Sequence, residues 1–252
     1  MQILFLVFML ILGAAFGSFL CCQVRRLHER KKLPTRSICL HCKKRLKWYD
    51  NIPIISWCIL KGKCRSCHQK IGYAEIVSEL ATALAMTMLA STINIETATW
   101  LEWLNFAIIA IFALTLIFLA IYDGLYGELP TICLIFAILF AATSITPALI
   151  TNFSIQPFLS AALFGGIYLG LYLVSKGKWV GDGDWLLATA IGLALGHPWL
   201  SMIALFIANF SACLIMFPSV KKKKNHQIYF GPFLVLAFII VYTFSNFFIS
   251  MI

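Results

Sequence analysis

Polar residues are so sparse along this chain that its apolar stretches can be counted directly. Eight recur, at about 3–22, 74–93, 103–122, 129–150, 157–175, 183–197, 198–217 and 229–250. All but the sixth approach the roughly 20 residues with which a helix crosses a ~30 Å hydrocarbon layer. The pattern predicts an all-α polytopic membrane protein with about eight transmembrane helices. The first run has no basic segment ahead of it and a strongly basic one behind it. It therefore reads as a retained span and not as a cleaved leader. One connection is long enough to hold a structure of its own. The predicted organisation is a first transmembrane helix over 1–22, a basic loop over 23–73, and a membrane domain of seven helices over 74–252.

Composition agrees: 61% of the 252 residues are hydrophobic and 12% charged, where a soluble domain is nearer half and a quarter. Charge then sets an orientation. Segment 23–73 holds 14 of the 20 Lys and Arg, 176–178 holds two, and Lys221–Lys224 supply the rest. With eight spans all three segments fall on one face, which positive charge marks as cytoplasmic. Both termini are then outside. The net charge of +10 is accounted for by topology and anionic lipid headgroups, with no nucleic-acid partner.

The basic loop contains Cys39-Leu-His-Cys42 and, 21 residues later, Cys64-Arg-Ser-Cys67. Two such knuckles form a zinc-ribbon pattern, in which Cys39, Cys42, Cys64 and Cys67 supply four thiolates to one tetrahedral ion. Redox-active dithiols or disulfides are the rival reading, and a reducing cytosol favours metal. So small a ribbon draws much of its folding free energy from the ion. Trp48, Tyr49 and Trp57, around the turn-like run Asp50-Asn51-Ile52-Pro53, suit a module lying on the membrane surface.

Six of the ten acidic residues lie near span ends: Glu75, Glu79, Asp123, Glu128, Asp182 and Asp184. Ionisable groups there are functional candidates. Asp123 closes the third span and Asp184 opens the sixth, so the topology brings both to one depth at the cytoplasmic face. Asp184 suits a helix N-terminus, whereas Asp123 opposes the dipole at a C-terminus. Two neighbouring carboxyls share a proton, and such a pair can activate water with one member while the other polarises a carbonyl. Gly181 and Gly183 are expected to permit positive φ and to leave room for a substrate strand. Asp182 and Glu128 read either as an acidic rim near the substrate or as solvated turn residues.

These residues resemble a known family. Gly181-Asp-Gly-Asp184 is similar to the G-x-G-D signature of membrane aspartyl proteases, and Tyr122-Asp123 to the site of the partner aspartate. Type IV prepilin peptidases join that pair to a cytoplasmic loop with two C-x-x-C motifs. Further similar blocks follow in the family's order: Gly17-Ser-Phe-Leu20, Arg36-Ser-Ile-Cys-Leu-His-Cys42, Trp48-Tyr-Asp-Asn-Ile-Pro-Ile-Ile-Ser-Trp57, Gly62-Lys-Cys-Arg-Ser-Cys67, Glu79-Leu-Ala-Thr-Ala-Leu84 and Phe230-Gly-Pro-Phe233. The resemblance implies an aspartic endopeptidase of the bacterial cytoplasmic membrane, with Asp123 and Asp184 catalytic. Its substrates would be prepilins or pseudopilins with basic leaders. It also implies N-methylation of the new N-terminus with S-adenosylmethionine, tied to the cysteine loop, with Glu79 the tentative cofactor-side residue. Cys21, Thr131 and Leu186 stand where the family commonly has Asn, Asp and Lys. Three alternatives remain beside this: a peptidase without methylation, a non-enzymatic zinc-ribbon assembly factor, and a transporter. The last is disfavoured by the absence of charge in mid-span.

Overall fold

The computed structural model describes residues 1–29, 37–39, 41–151, 154–178, 180–220 and 229–251. Arg36 and Lys221–Lys224, invoked above, lie outside them. The regular elements of the described residues are all helices, with no β-strand among them and only two isolated bridges. Contacts divide the chain into two units, Met1–Glu96 and Thr97–Ile252.

The first unit is built on α1 (Gln2–Glu29) and α3 (Tyr73–Ala90). Met9, Gly13, Ala14, Gly17, Cys21 and Val24 form the buried stripe of α1, at helical spacing. Its opposite face keeps Ile3, Leu4 and Ile11 exposed, as a lipid-facing surface requires. Close approach explains the two glycines. A β-carbon on Gly13 would lie 2.8 Å from the Ala83 Cα, and one on Gly17 would lie 2.5 Å from the Ser78 carbonyl oxygen. Small residues four apart let two backbones touch in a membrane. This packing places α3 with α1, although the sequence pattern alone groups it with the later helices. Between them lie a 3₁₀ turn (Trp48–Asn51) and the short α2 (Ile55–Ile59).

The second unit comprises α4 (Trp100–Tyr126), α5 (Thr131–Thr151), α6 (Gln156–Ser175), α7 (Asp184–Leu195), α8 (Pro198–Val220), α9 (Gly231–Thr243) and α10 (Ser245–Ile249). Each of the eight apolar runs is helical, and among the described residues five helices are long and apolar enough to cross a membrane: α1, α3, α4, α6 and α8. Length and composition thus support five of the eight spans read from the sequence. The 12 residues of α7 rise only about 18 Å, and the eighth run is broken into α9 and α10 at Phe244.

Terminal chemistry sets where these helices stop. Thr99 and Glu102 cap the start of α4 reciprocally, and Gly127 ends it at φ 71° with its N–H donated to the Asp123 carbonyl. Asp123 is thereby held in the last turn. Helix α7 is largely buried, at Leu187, Ala188 and from Ala190 through Leu195, and packs against α5, α6, α8 and α9. A helix apolar all round belongs in a core, and its first residue is Asp184.

Candidate active site

Both aspartates are buried, each 6% exposed. They lie close enough for the charge of Asp184 to act on Asp123. Each is held by the same device. The Gly231 N–H, at the start of α9, donates to Asp123 Oδ2 at 2.8 Å. The Gly181 N–H donates to Asp184 Oδ2 at 2.9 Å. No other donor among the described residues reaches either carboxylate, which leaves each Oδ1 for water or a peptide. A buried carboxylate oxygen bonded to a backbone N–H is fixed in direction. The pair therefore presents two acid groups, each held by a backbone N–H, from α4 and α7.

The neighbouring residues fall out less simply. Gly183 has φ −90°, and Gly181 is not among the positive-φ residues, so neither uses the freedom expected of it. A β-carbon on Gly183 would meet Leu129 at 2.6 Å, and one on Gly181 would meet Asp184 Oδ2 at 3.0 Å. The space they leave is taken by the protein's own side chains, not kept open for substrate. Asp182 and Glu128 are exposed, and Asp182 is hydrogen-bonded to the Tyr172 hydroxyl.

Two contributors escaped the sequence pattern. Gly231 stands in the Phe230–Phe233 run with no role legible from sequence, yet it is the donor that fixes Asp123. Buried Tyr168 lies within reach of the Asp184 charge, accepts a bond from Asn209 Nδ2 at 3.2 Å, and meets the Phe230 ring at a tilt of 45°, 5.5 Å between centroids. A tyrosine and an asparagine in otherwise apolar helices were the available signal.

In the Met1–Glu96 unit, the sulfurs of Cys39, Cys42, Cys64 and Cys67 all lie within 4.8 Å of one another. Cys39 Sγ and Cys67 Sγ are 3.9 Å apart, where a tetrahedral ion with ~2.3 Å bonds to sulfur calls for about 3.8 Å. The two knuckles fold alike. Each is closed by a bridge, Ile38 with Arg45 and Lys63 with Lys70. In each, the residue after the second cysteine takes positive φ, Lys43 at 58° and His68 at 56°. The N–H groups of Cys67 and Ser66 donate to Cys64 and bring its thiol down to about 7. These four cysteines can hold a metal ion. Arg65 ties the second knuckle to the 3₁₀ turn through Asp50 at 2.8 Å and lies over the Tyr49 ring.

Beside the knuckles lies a cavity of about 340 Å³ whose walls include Ser18, Arg25, Trp57, Gly72, Glu75 and Glu79. That volume suits a small molecule. Buried Glu79 accepts the Ile54 N–H at 2.7 Å, and Arg25 pairs with Glu75 Oε1 at 2.6 Å.

Comparison with known proteins bears on both units. A sequence model of the bacterial peptidase A24 N-terminal domain matches residues 11–93. The prepilin leader peptidase/N-methyltransferase of Vibrio cholerae is 27% identical over 256 residues, spanning 96% of this chain and 98% of its own. The type 4 prepilin-like proteins leader peptide-processing enzyme of Escherichia coli O78:H11 is 30% identical over 213 residues, 80% of this chain and 73% of its own. The prepilin leader peptidase/N-methyltransferase of Legionella pneumophila is 28% identical over 239 residues, 86% and 77% respectively. No solved structure matches.

Proposed function

The chain belongs to the type IV prepilin peptidase family, and from that premise we propose that it is a membrane aspartic endopeptidase that also methylates its product. The observation that carries the peptidase reading is the matched pair Asp123 and Asp184, each buried and each anchored through Oδ2 by a glycine N–H.

One member of the pair, ionised, takes a proton from water through Oδ1, and the water attacks the scissile carbonyl. The other, protonated, donates to that carbonyl oxygen and stabilises the tetrahedral intermediate. Proton return to the leaving amine completes cleavage. The substrate is a prepilin or pseudopilin whose basic leader meets the exposed carboxylates of Asp182 and Glu128. Cleavage is placed at the cytoplasmic face of the bacterial cytoplasmic membrane, where positive charge puts the basic segments when all eight apolar runs cross.

Zinc on Cys39, Cys42, Cys64 and Cys67 is structural, joining two knuckles that share little core. Methylation is assigned to the Met1–Glu96 cavity. Its volume suits S-adenosylmethionine, which supplies an electrophilic methyl group when bound. Two wall side chains, Glu75 and Trp57, each keep a buried polar atom without a partner among the described residues. Ser18, Arg25, Trp57 and Glu75 are the residues that would hold the donor.

Co-expression with a prepilin tests the reading. Asp123→Asn and Asp184→Asn should each abolish leader removal, and persistent removal by either would sink the protease assignment. Mass spectrometry of the mature N-terminus should find one added methyl group; an unmodified amine would restrict the function to cleavage.

A further inference from the structure

We infer that Glu75 is the side chain of the Met1–Glu96 unit that receives an α-ammonium group, with Trp57 donating to the carbonyl or carboxylate oxygen beside it. The inference rests on the methylation reading above and assigns residues to it. Spacing alone does not choose between Glu75 and Glu79, which lie one turn apart on α3.

The structure separates them by what already occupies each. Glu79 Oε2 accepts the Ile54 N–H at 2.7 Å, and the Ser18 hydroxyl is also bonded to this carboxylate. The Ile54 bond holds a strained turn. Ile54 has φ 63° and ψ −54°, and the Ile55 N–H donates to the Pro53 carbonyl at 2.6 Å. This is a γ-turn in the region that β-branched residues avoid. The charge of Glu79 is committed to backbone, and its work is to latch the 51–57 segment to α3.

Glu75 is only half occupied. Arg25 engages Oε1, while Oε2 is buried and has no hydrogen-bond partner among the described residues. Trp57 Nε1 is in the same condition. Both residues line the one cavity. A buried acceptor and a buried donor without partners are costly. Found together in one wall, they describe what a ligand must bring: a donor for the carboxylate and an acceptor for the indole N–H. An α-amino acid unit carries both, three bonds apart. Two participants in the proposed reaction contain one, S-adenosylmethionine and the free N-terminus of the cleaved pilin. Both wall atoms are sealed from water, so engagement requires side-chain rotation. The terminal torsion of a glutamate is broad enough to allow it.

The test uses full-length protein in detergent and isothermal titration with S-adenosylmethionine, a short peptide carrying the mature N-terminus, and the N-acetylated form of that peptide. Glu75→Gln should weaken the ammonium-bearing ligand about tenfold or more, and Trp57→Phe several-fold, in line with loss of charged and neutral hydrogen bonds. A loss confined to S-adenosylmethionine assigns the unit to the methyl donor. A loss confined to the free peptide, with the acetylated form unaffected, assigns it to the acceptor. Unchanged affinity for both ligands overturns the inference. Should Glu75→Gln fail to fold, as judged by melting temperature, Trp57→Phe, which removes no charge, carries the same readout. Wild-type protein that binds neither ligand overturns the methylation reading itself, and this inference with it.

Discussion

Replacing Gly231 with Ala probes the site at the point where its geometry depends on the fold. The backbone N–H that holds Asp123 Oδ2 at 2.8 Å remains. The new β-carbon, however, would stand 2.9 Å from that oxygen and 3.3 Å from the Asp123 Cβ. Ordinary contact begins near about 3.5 Å, so the carboxylate must retreat by roughly half an ångström. A 1 Å misplacement of reacting groups costs about a hundredfold in rate, and half of that displacement about tenfold. Weakening a hydrogen bond to a charged group adds to this, giving an expected fall in kcat of about 10- to 100-fold, or ~1.4–2.7 kcal/mol of barrier. Leader cleavage of a prepilin peptide, followed as kcat and KM in detergent, reads it directly. Gly124→Ala is the control, because its β-carbon meets only Pro232 Cγ at 3.8 Å. A helical Gly-to-Ala change of that kind adds about 0.5–1 kcal/mol of stability. If Gly231→Ala turned over as fast as Gly124→Ala with an unchanged melting temperature, the anchoring of Asp123 by α9 would be refuted.

The other predictions concern the first unit. Serine at Cys39 and Cys67 together should abolish stoichiometric zinc by elemental analysis and open residues 37–71 to protease; parent-level zinc in that variant would dismiss the ribbon. Gly17→Val drives a side chain into the Ser78 carbonyl and the Glu79 Cα, neither of which can move cheaply. A loss of about 1–3 kcal/mol in thermal or denaturant unfolding is expected, and wild-type stability would show that α1 and α3 do not pack as described. Glu79→Ala should destabilise the 51–57 segment. Ile54→Gly should offset part of that loss, because glycine accepts φ 63° without the ~1–3 kcal/mol of strain. Strictly additive effects in the double variant would separate the carboxylate from the turn.

How far the sequence carried these features depends on the range of the interactions that create them. The helices were legible because long apolar runs have few alternatives in lipid. Helix α7 was among them: read at 183–197, it spans Asp184–Leu195, bounded by Gly183 and by Gly196 at φ 71°. The break of the eighth run at Phe244 was not, because hydropathy continues through it. The four cysteines were legible because two knuckles of identical spacing imply one site. The cavity beside them was not, since its walls come from residues between Ser18 and Glu79 that share no motif.

The aspartates show the same division inside a single site. Asp184 is fixed by Gly181, three residues away in the same turn, so the motif that names the residue also contains its anchor. Asp123 is fixed by Gly231, 108 residues distant, and nothing near Asp123 in the chain could reveal that. The two carboxylates therefore differ in what can release them. Local unfolding of α9, which Phe230 precedes with its ring tilted against Tyr168, would free Asp123 while leaving Asp184 anchored in its own turn. A substitution at Phe230 or Tyr168 should accordingly impair catalysis through the position of Asp123, even though neither residue contacts it by any hydrogen bond among the described residues.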